Sequence, residues 1–126
     1  MIVTQKILLY AGALLPVIWG VAHLFPTRSI VEGFGDISED NRRIITMEWI
    51  IEGVALIFIG VIVATVAMID HTGVLGRTIC WISIVMLNVL SVISLLTGFK
   101  IRFPAFKLCP VLFTSASILI LLGLMV

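Results

Sequence analysis

Charged residues are scarce in this chain. Of its 126 residues only 12% are Asp, Glu, Lys or Arg, whereas 61% are hydrophobic. A soluble domain carries about 25% charged residues, so this chain has too few to cover a surface in contact with water. The net charge of +1 also gives no electrostatic basis for binding nucleic acid. We therefore predict an integral membrane protein, with the lipid bilayer as its partner.

Residue patterns of several enzyme classes are also missing. The chain has two cysteines and two histidines, and it contains no Cys-x-x-Cys, no Glu-x-x-His and no His-Glu-x-x-His. These absences argue against a thiol-relay enzyme, a di-iron bundle and a zinc protease. A P-loop, a dinucleotide-binding fingerprint and a nucleophile elbow are absent as well. We assign no metal ligands, although Glu48, Glu52 and His23 form a carboxylate–imidazole set that leaves metal binding open.

Long apolar runs make up most of what is present. Four runs have the roughly 20 residues that cross a bilayer, and they cover about residues 6–25, 44–69, 78–98 and 108–126. Short connections between them favour antiparallel neighbours. The prediction is an all-α, up-down-up-down four-helix bundle, a single transmembrane domain over residues 1–126. Cys80 and Cys109 open the third and fourth spans near opposite membrane faces, so we expect packing residues and no disulfide.

The sizeable polar segment between the first two spans contains a helix-start signal. Ser38 is a suitable N-cap, and Glu39 and Asp40 follow it in the first turn, where carboxylates interact favourably with the helix dipole. We therefore predict that the second long helix begins in water near Ser38. It then enters the hydrocarbon core at about Ile44.

Lysine and arginine are unevenly distributed between the two predicted faces. The first and third connections share one face and contain Arg28, Arg42, Arg43, Lys100, Arg102 and Lys107. The other face holds only Lys6 and Arg77. Positively charged connections stay in the cytoplasm. We predict a multi-pass protein of a prokaryotic inner membrane, with both termini outside.

Two carboxyl groups interrupt the second predicted span. Glu48 and Glu52 are about 6 Å apart on one helix face. An ionisable residue within a span is costly, so it usually faces a protein interior and marks a functional site. His23, near the same face at the end of the first span, is the expected partner because histidine titrates near physiological pH. These three residues are the candidate catalytic groups.

Other polar and aromatic residues fall in the same half of the predicted bundle. The opposite half, around residues 61–66 and 119–126, is almost purely apolar. This asymmetry predicts an internal polar pocket that opens toward the first and third connections. The candidate ligand-binding residues are Trp19, Trp49, Asn88, Ser91, Ser94 and Thr114.

Each of these residues also has a purely structural interpretation. The tryptophans suit the membrane interface, and Asn88 and the serines suit hydrogen bonds between helices. Glu48 suits the headgroup zone, where it would pair with a nearby arginine. Glu52 suits a structural pair with His23 or Asn88. The sequence leaves these alternatives open.

The first two helices carry a family-like pattern. The first contains Gly-Val-Ala-His-Leu-Phe-Pro over residues 20–26, and the second contains Glu52-Gly53, then Leu56 and Gly60. This spacing resembles the DoxX-like superfamily of small four-helix membrane proteins. Some relatives are implicated in membrane thiol oxidation or in quinone-linked oxidoreductase complexes, often as partner subunits. The resemblance implies a similar setting here, although no cysteine pair supports a redox role by this chain itself.

Our leading hypothesis is a pocket that binds a quinone or another small amphipathic molecule, in an accessory subunit of a membrane complex. Glu52 would hold or relay a proton, Glu48 would bind the polar head or tune Glu52, and His23 would exchange protons with the membrane face. One alternative is a homo-oligomeric transporter coupled to protons or cations. Another is a lipid-modifying or isomerase-type enzyme, in which an acid and a base shift protons on an apolar substrate.

Overall fold

The computed structural model describes residues 2–126, which form helices joined by short connections, with no strand among them. The prediction of an all-α bundle is confirmed. The elements, in chain order, are α1 Ile2–Leu24, α2 Thr27–Glu32, α3 Glu39–Ile69, α4 Val74–Ile93, a π-helical segment Ser94–Gly98 that continues α4, and α5 Pro104–Met125.

Four helical stretches in the described chain are long and apolar enough to cross a membrane. They are α1, α3, α4 together with its π-helical segment, and α5. Each begins four or five residues before the span predicted from hydropathy. Backbone hydrogen bonds continue beyond the hydrocarbon core, whereas hydropathy marks only the apolar part of each helix. The chain therefore has the architecture of a multi-pass membrane protein.

Helix α3 starts where the capping signal predicts. The Ser38 hydroxyl accepts a hydrogen bond from the Asn41 backbone N–H at 3.2 Å, and Glu39 and Asp40 lie in the first turn. The helix has 31 residues, which at about 1.5 Å per residue gives roughly 46 Å, against a hydrocarbon core of about 30 Å. Its first turns therefore project beyond the core on the side of the first connection.

The four long helices pack in a ring. Helix α1 contacts α3 and α5, and α4 contacts α5 and, less extensively, α3. Glycines bring α1 and α3 together: a Cβ atom at Gly20 would lie 2.6 Å from the Gly53 carbonyl oxygen, and one at Gly60 would collide with the Ala13 carbonyl and Val17. Small residues permit such close backbone approach in membranes. This contact places the end of α1 beside the first half of α3.

The two ends of the bundle differ. We call the end at the α3–α4 connection the closed end, and the end at the α1–α3 and α4–α5 connections the cavity end. At the closed end the Arg77 guanidinium donates to the Leu124 carbonyl at 3.0 Å, which satisfies a free carbonyl at the C-terminus of α5. Buried Leu9, Val63 and Ile120 fill the space between the helices.

Candidate functional site

A cavity of about 620 Å³ lies at the cavity end, where α1 finishes and α5 begins. This volume is within the roughly 300–1,000 Å³ of small-molecule sites, which are mostly apolar with a few polar groups. The wall is formed by Trp19, Ala22, His23, Pro26, Ile30, Trp49, Glu52, Leu90, Ile93, Ser94, Thr97, Gly98, Ile101, Phe103, Ala105, Phe106 and Cys109. A cavity thus lies at the end of the bundle where the sequence predicts a polar pocket, although most of its wall is apolar.

Trp49 organises the wall between α1 and α3. Its ring stacks on the imidazole of His23 with centroids 3.8 Å apart and planes at 14°. Its Nε1–H donates to the His23 backbone carbonyl at 2.7 Å, one of the carbonyls that the end of α1 leaves without an intrahelical partner. The ring of Phe106 meets Trp49 edge-on at 5.8 Å. The Trp49 side chain thus donates to a free carbonyl at the end of α1 and also packs against the imidazole of His23.

His23 and Glu52 are ionisable residues of the wall. His23 Nε2 lies 3.5 Å from Glu52 Oε2, and the two side chains are 7% and 48% exposed. The stack with Trp49 buries the imidazole, whereas Glu52 lies one turn further along α3, on the side that faces the cavity. The geometry brings these two predicted residues together as a pair able to share a proton.

Glu48 does not belong to this pair. The residue is exposed, and it lines only a shallow groove on the outside of α3 with Ile44, Ile45, Trp49, Ile51 and Glu52. The prediction that both carboxyls are enclosed is therefore wrong: Glu48 lies outside the cavity, and Glu52 lines the cavity with a side chain that is 48% exposed. The alternative expectation, an ion pair between Glu48 and a nearby arginine, is not met either, because the ion pairs within residues 2–126 do not include Glu48.

The positions of the two carboxyls along α3 also differ. Measured back from Ile69 at about 1.5 Å per residue, Glu52 lies roughly 26 Å and Glu48 roughly 32 Å along the helix. If Ile69 lies at the far boundary of a hydrocarbon core of about 30 Å, we expect Glu48 to reach the headgroup zone, where a charge is tolerated, and Glu52 to remain inside the core boundary. A four-residue spacing places both on one face but carries no information about this boundary.

Two pairs of exposed charges lie near the cavity end. Arg28 donates to Glu32 at 2.8 Å within α2, and Arg43 donates to Glu39 at 3.2 Å within α3. The hydrogen bond and the charge of Glu32 raise the pKa of the Arg28 guanidinium. Both pairs have i, i+4 spacing on exposed surfaces, so they contribute little to stability.

Two tryptophans and one serine of the prediction also lie at the cavity. Trp19, Trp49 and Ser94 line it, and Trp19 Nε1 is buried without a hydrogen-bond partner in the described chain. A buried indole N–H without a partner is unusual, because such donors are costly to remove from water. The third tryptophan, Trp81, is exposed near the start of α4.

Asn88, Ser91 and Thr114 are not part of the cavity wall. Asn88 Nδ2 donates to Ser117 Oγ at 2.7 Å, and the Ser91 hydroxyl donates to the Pro110 carbonyl at 3.0 Å. Ser91 and Thr114 hydroxyls are 2.8 Å apart. These contacts join α4 to α5, as expected for polar residues between membrane helices. The prediction that these three residues bind the ligand is corrected accordingly: they join α4 to α5, and both helices contribute other residues to the cavity wall.

Several wall residues were not predicted from the sequence. Besides the predicted Ser94, the π-helical segment contributes Thr97 and Gly98, and the connection to α5 contributes Ile101 and Phe103. π-Helical turns inside α-helices occur frequently at functional sites, but hydropathy gives no sign of them. The cluster of phenylalanines in the third connection was a usable signal, since aromatic residues line most ligand pockets.

The two cysteines occupy different ends and both are free. Cys80 is fully buried in the core. Cys109 lies at the cavity wall, and its Sγ contacts the Ala105 carbonyl at 3.7 Å. Within residues 2–126, no three side chains of His, Cys, Asp or Glu lie close enough together to hold a metal ion.

Comparison of the chain with models of known protein families, with curated proteins and with solved structures gives no match. The resemblance to the DoxX-like superfamily therefore stays a prediction. Of the residues that carry it, His23 and Glu52 lie in the cavity wall, and Gly53 and Gly60 make the close contact between α1 and α3.

Proposed function

We propose that the protein binds a quinone or another small amphipathic ring molecule at the cavity, within the membrane and near one face. The observation that carries this proposal is the combination of an apolar, aromatic cavity with the His23–Glu52 pair in its wall. A purely structural pair would need no adjoining cavity. A purely apolar cavity would offer nothing to orient a polar head group.

The chemistry of the wall supports a flat ring with a polar edge. Trp19, Trp49 and Phe106 offer aromatic faces and edges on which a ring can pack. His23 and Glu52 offer groups that accept or exchange a proton with a polar substituent. The cavity lies at the end of the bundle, so an apolar tail can extend along the helices into the bilayer.

The setting we propose is a prokaryotic inner membrane, with the protein as an accessory subunit of a membrane complex. The cavity end carries six of the eight lysines and arginines, which supports a cytoplasmic position for that end. Glu52 then holds or relays a proton, and His23 exchanges it with that face. Glu48 lies outside the cavity, so we assign it no contact with the ligand.

Tryptophan fluorescence tests this function directly. The chain has three tryptophans, and Trp81→Phe leaves only the two at the cavity. In lipid nanodiscs, titration of this variant with a short-tailed benzoquinone should quench its emission to saturation. Unsaturable quenching that rises in proportion to the quinone dissolved in the lipid would contradict a specific site.

A matched pair of variants locates the polar contact. Glu52→Gln keeps the shape of the side chain and should weaken binding by about tenfold, about 1.4 kcal/mol, as expected for a hydrogen bond that involves a charged group. Glu48→Gln makes the same chemical change one turn away, outside the cavity, and should leave the affinity unchanged. Equal effects of both changes would show that surface charge alone matters.

The proximity of His23 and Glu52 also supports the enzyme alternative. An acid and a base 3.5 Å apart beside an apolar cavity suit proton shifts on a lipid-like substrate. The transporter alternative requires several copies of the chain, so the buried side chains between the cavity and the closed end argue only against a pathway through a single bundle. Native mass spectrometry of the purified protein separates the candidates: a bound quinone favours our proposal, and a bound unsaturated lipid favours the enzyme.

A further inference from the structure

One face of α3 is covered by α4 at the closed end and uncovered at the cavity end. Glu52, Ile59 and Val66 follow one another at intervals of about two helical turns, so they lie along this face. Val66 and Ile59 are 6% and 8% exposed, whereas the Glu52 side chain is 48% exposed. The covering helix is α4, because a Cβ atom at Gly76 would lie 3.1 Å from the Val66 side chain. At the level of Glu52, α4 therefore no longer covers α3.

The facing side of α4 shows the same change. Gly76, Ser83, Leu90 and Thr97 follow one another at the same interval along α4 and its π-helical segment. Gly76 and Ser83 are buried, Leu90 is partly buried and Thr97 is exposed. Both facing surfaces lose their cover toward the cavity end, which means that α3 and α4 diverge there.

The contacts between neighbouring helices agree with this divergence. Of the four contacts between neighbouring long helices, that between α3 and α4 is the least extensive. Side-chain hydrogen bonds from Asn88 and Ser91 join α4 to α5. Within residues 2–126, no side-chain hydrogen bond joins α3 to α4. Nothing polar therefore holds these two helices together beside the cavity.

The cavity reaches the space between the diverging helices. Trp49 and Glu52 line the cavity and also the shallow groove on the outside of α3, so the two spaces meet at these side chains. On α4, Ile93 lines the cavity and is 52% exposed. We call the opening between Glu52 and Ile93 the α3–α4 gap. Both residues lie within apolar spans predicted from hydropathy, so the gap faces the bilayer.

The gap indicates how a ligand enters and what kind of tail it carries. Building on the proposed function, we propose that the ligand reaches the cavity from the bilayer through the α3–α4 gap, and that its tail stays in the gap when the ring is bound. The ligand is then a ring with a hydrocarbon tail too long for the cavity. Tail contacts in the gap replace equally apolar contacts with lipid, so the tail adds little affinity. The gap instead admits a tail that an enclosed cavity would exclude.

Photolabelling locates the tail. The probe is a benzoquinone with a long saturated tail that carries a diazirine close to the ring. The nanodisc-embedded protein is irradiated with this probe, and the labelled positions are identified by mass spectrometry of its peptides. We expect the labels that excess unlabelled quinone suppresses to lie around Ala55 on α3 and Ile93 on α4. Suppressible labels around Ala22 on α1 and Ala105 on α5, the other side of the cavity wall, would overturn this route.

A matched pair of variants tests the gap itself. Ile93→Phe places a larger side chain in the gap, whereas Val92→Phe makes a similar change at a neighbouring residue that is 54% exposed and outside the cavity wall. Both are made in the Trp81→Phe background, so that fluorescence quenching reports binding at the cavity. A benzoquinone with a short tail is compared with one that has a long saturated tail. Their dissociation constants are expressed as mole fractions in the lipid, which removes the difference in partitioning.

The ratio of the two dissociation constants is the readout. Without a change at Ile93, and in Val92→Phe, the two constants should agree within about threefold, because the tail exchanges one apolar surrounding for another. In Ile93→Phe the long-tailed quinone should bind about tenfold more weakly than the short-tailed one, because the tail and the ring compete for the same space. An unchanged ratio in Ile93→Phe would exclude the gap as the position of the tail.

The outcomes separate this inference from the proposed function. Binding of the short-tailed quinone together with rejection of the long-tailed one, before any change at Ile93, overturns the route through the gap and leaves the binding site in place. Saturable binding of neither quinone, with the helical circular-dichroism spectrum intact, overturns the proposed function itself. The photolabelling uses the unchanged chain, so it decides the route even if Ile93→Phe does not fold.

Discussion

The closed end and the cavity end are built from the same helices but have different interiors. At the closed end Gly12 and Gly123 let α1 and α5 touch: a Cβ at Gly12 would lie 2.7 Å from Ile120, and one at Gly123 would lie 2.9 Å from Leu9. At the cavity end the same helices present Trp19 and Phe106, and a cavity lies against them. Small residues close one end, and large rings line the space at the other.

The difference also concerns how the helix ends are satisfied. At the closed end a charged side chain, Arg77, donates to the end of α5. At the cavity end a ring, Trp49, donates to the end of α1 and packs on His23 at the same time. The cavity end thus couples the stability of a helix end to the position of an ionisable group. At the closed end, Arg77 donates to the helix end without contacting an ionisable side chain in this way.

The largest effect should come from filling the close contact at the closed end. We expect Gly12→Leu to destabilise the bundle by about 3 kcal/mol, because overpacking forces backbone shifts. Gly98→Leu is the matched control: a Cβ there meets nothing nearer than Phe106 at 3.9 Å, so stability should hardly change while ligand binding falls. Unfolding in sodium dodecyl sulfate measures both variants. Similar destabilisation by the two would remove the distinction between the ends.

A smaller effect is expected from Trp49→Phe at the cavity end. The change keeps an aromatic ring against His23 but removes the 2.7 Å hydrogen bond to its carbonyl. A lost hydrogen bond of this kind costs about 1 kcal/mol. The same unfolding assay measures the loss, with Trp81→Phe as the exposed control. No loss of stability would mean that the bond does not secure the end of α1.

The smallest effect concerns the contact between α4 and α5. Ser91→Ala removes hydrogen bonds to Pro110 and Thr114 and should cost about 0.6 kcal/mol, typical of polar contacts between membrane helices. Ligand affinity should stay unchanged, since Ser91 lies outside the cavity wall. Calorimetry of this variant beside Ser94→Ala, a change at the wall, distinguishes the two roles. A loss of affinity in Ser91→Ala alone would restore its assignment to the site.

The helices, and part of the site, could be predicted from the sequence. Hydropathy locates the four spans because the cost of lipid contact depends on composition alone, and Ser38 marks the start of α3 because capping is local. The pairing of His23 with Glu52 agrees with their similar depth on neighbouring helices. These features depend on local chemistry or on distance along a helix axis.

The remaining features depend on rotation about the helix axes. Ser91 and Ser94 are three residues apart on one helix, yet one faces α5 and the other faces the cavity. No pattern in the sequence tells which neighbour occupies which side. The enclosure of Glu48 was wrongly predicted for a related reason: a spacing of four residues places Glu48 on the same face as Glu52 but does not show whether a neighbouring helix covers it.

The π-helical segment has a consequence for how the cavity would respond to a change in chain length. A π-turn accommodates one more residue than the α-helical turn that it replaces. Deletion of a single residue from 94–98 would restore a regular α-helical turn and leave α4 nearly unrotated relative to α5, because the wider π-turn absorbs the extra residue. The cavity wall would then change only within this turn, so relatives of this chain should be compared first by whether they retain that one extra residue.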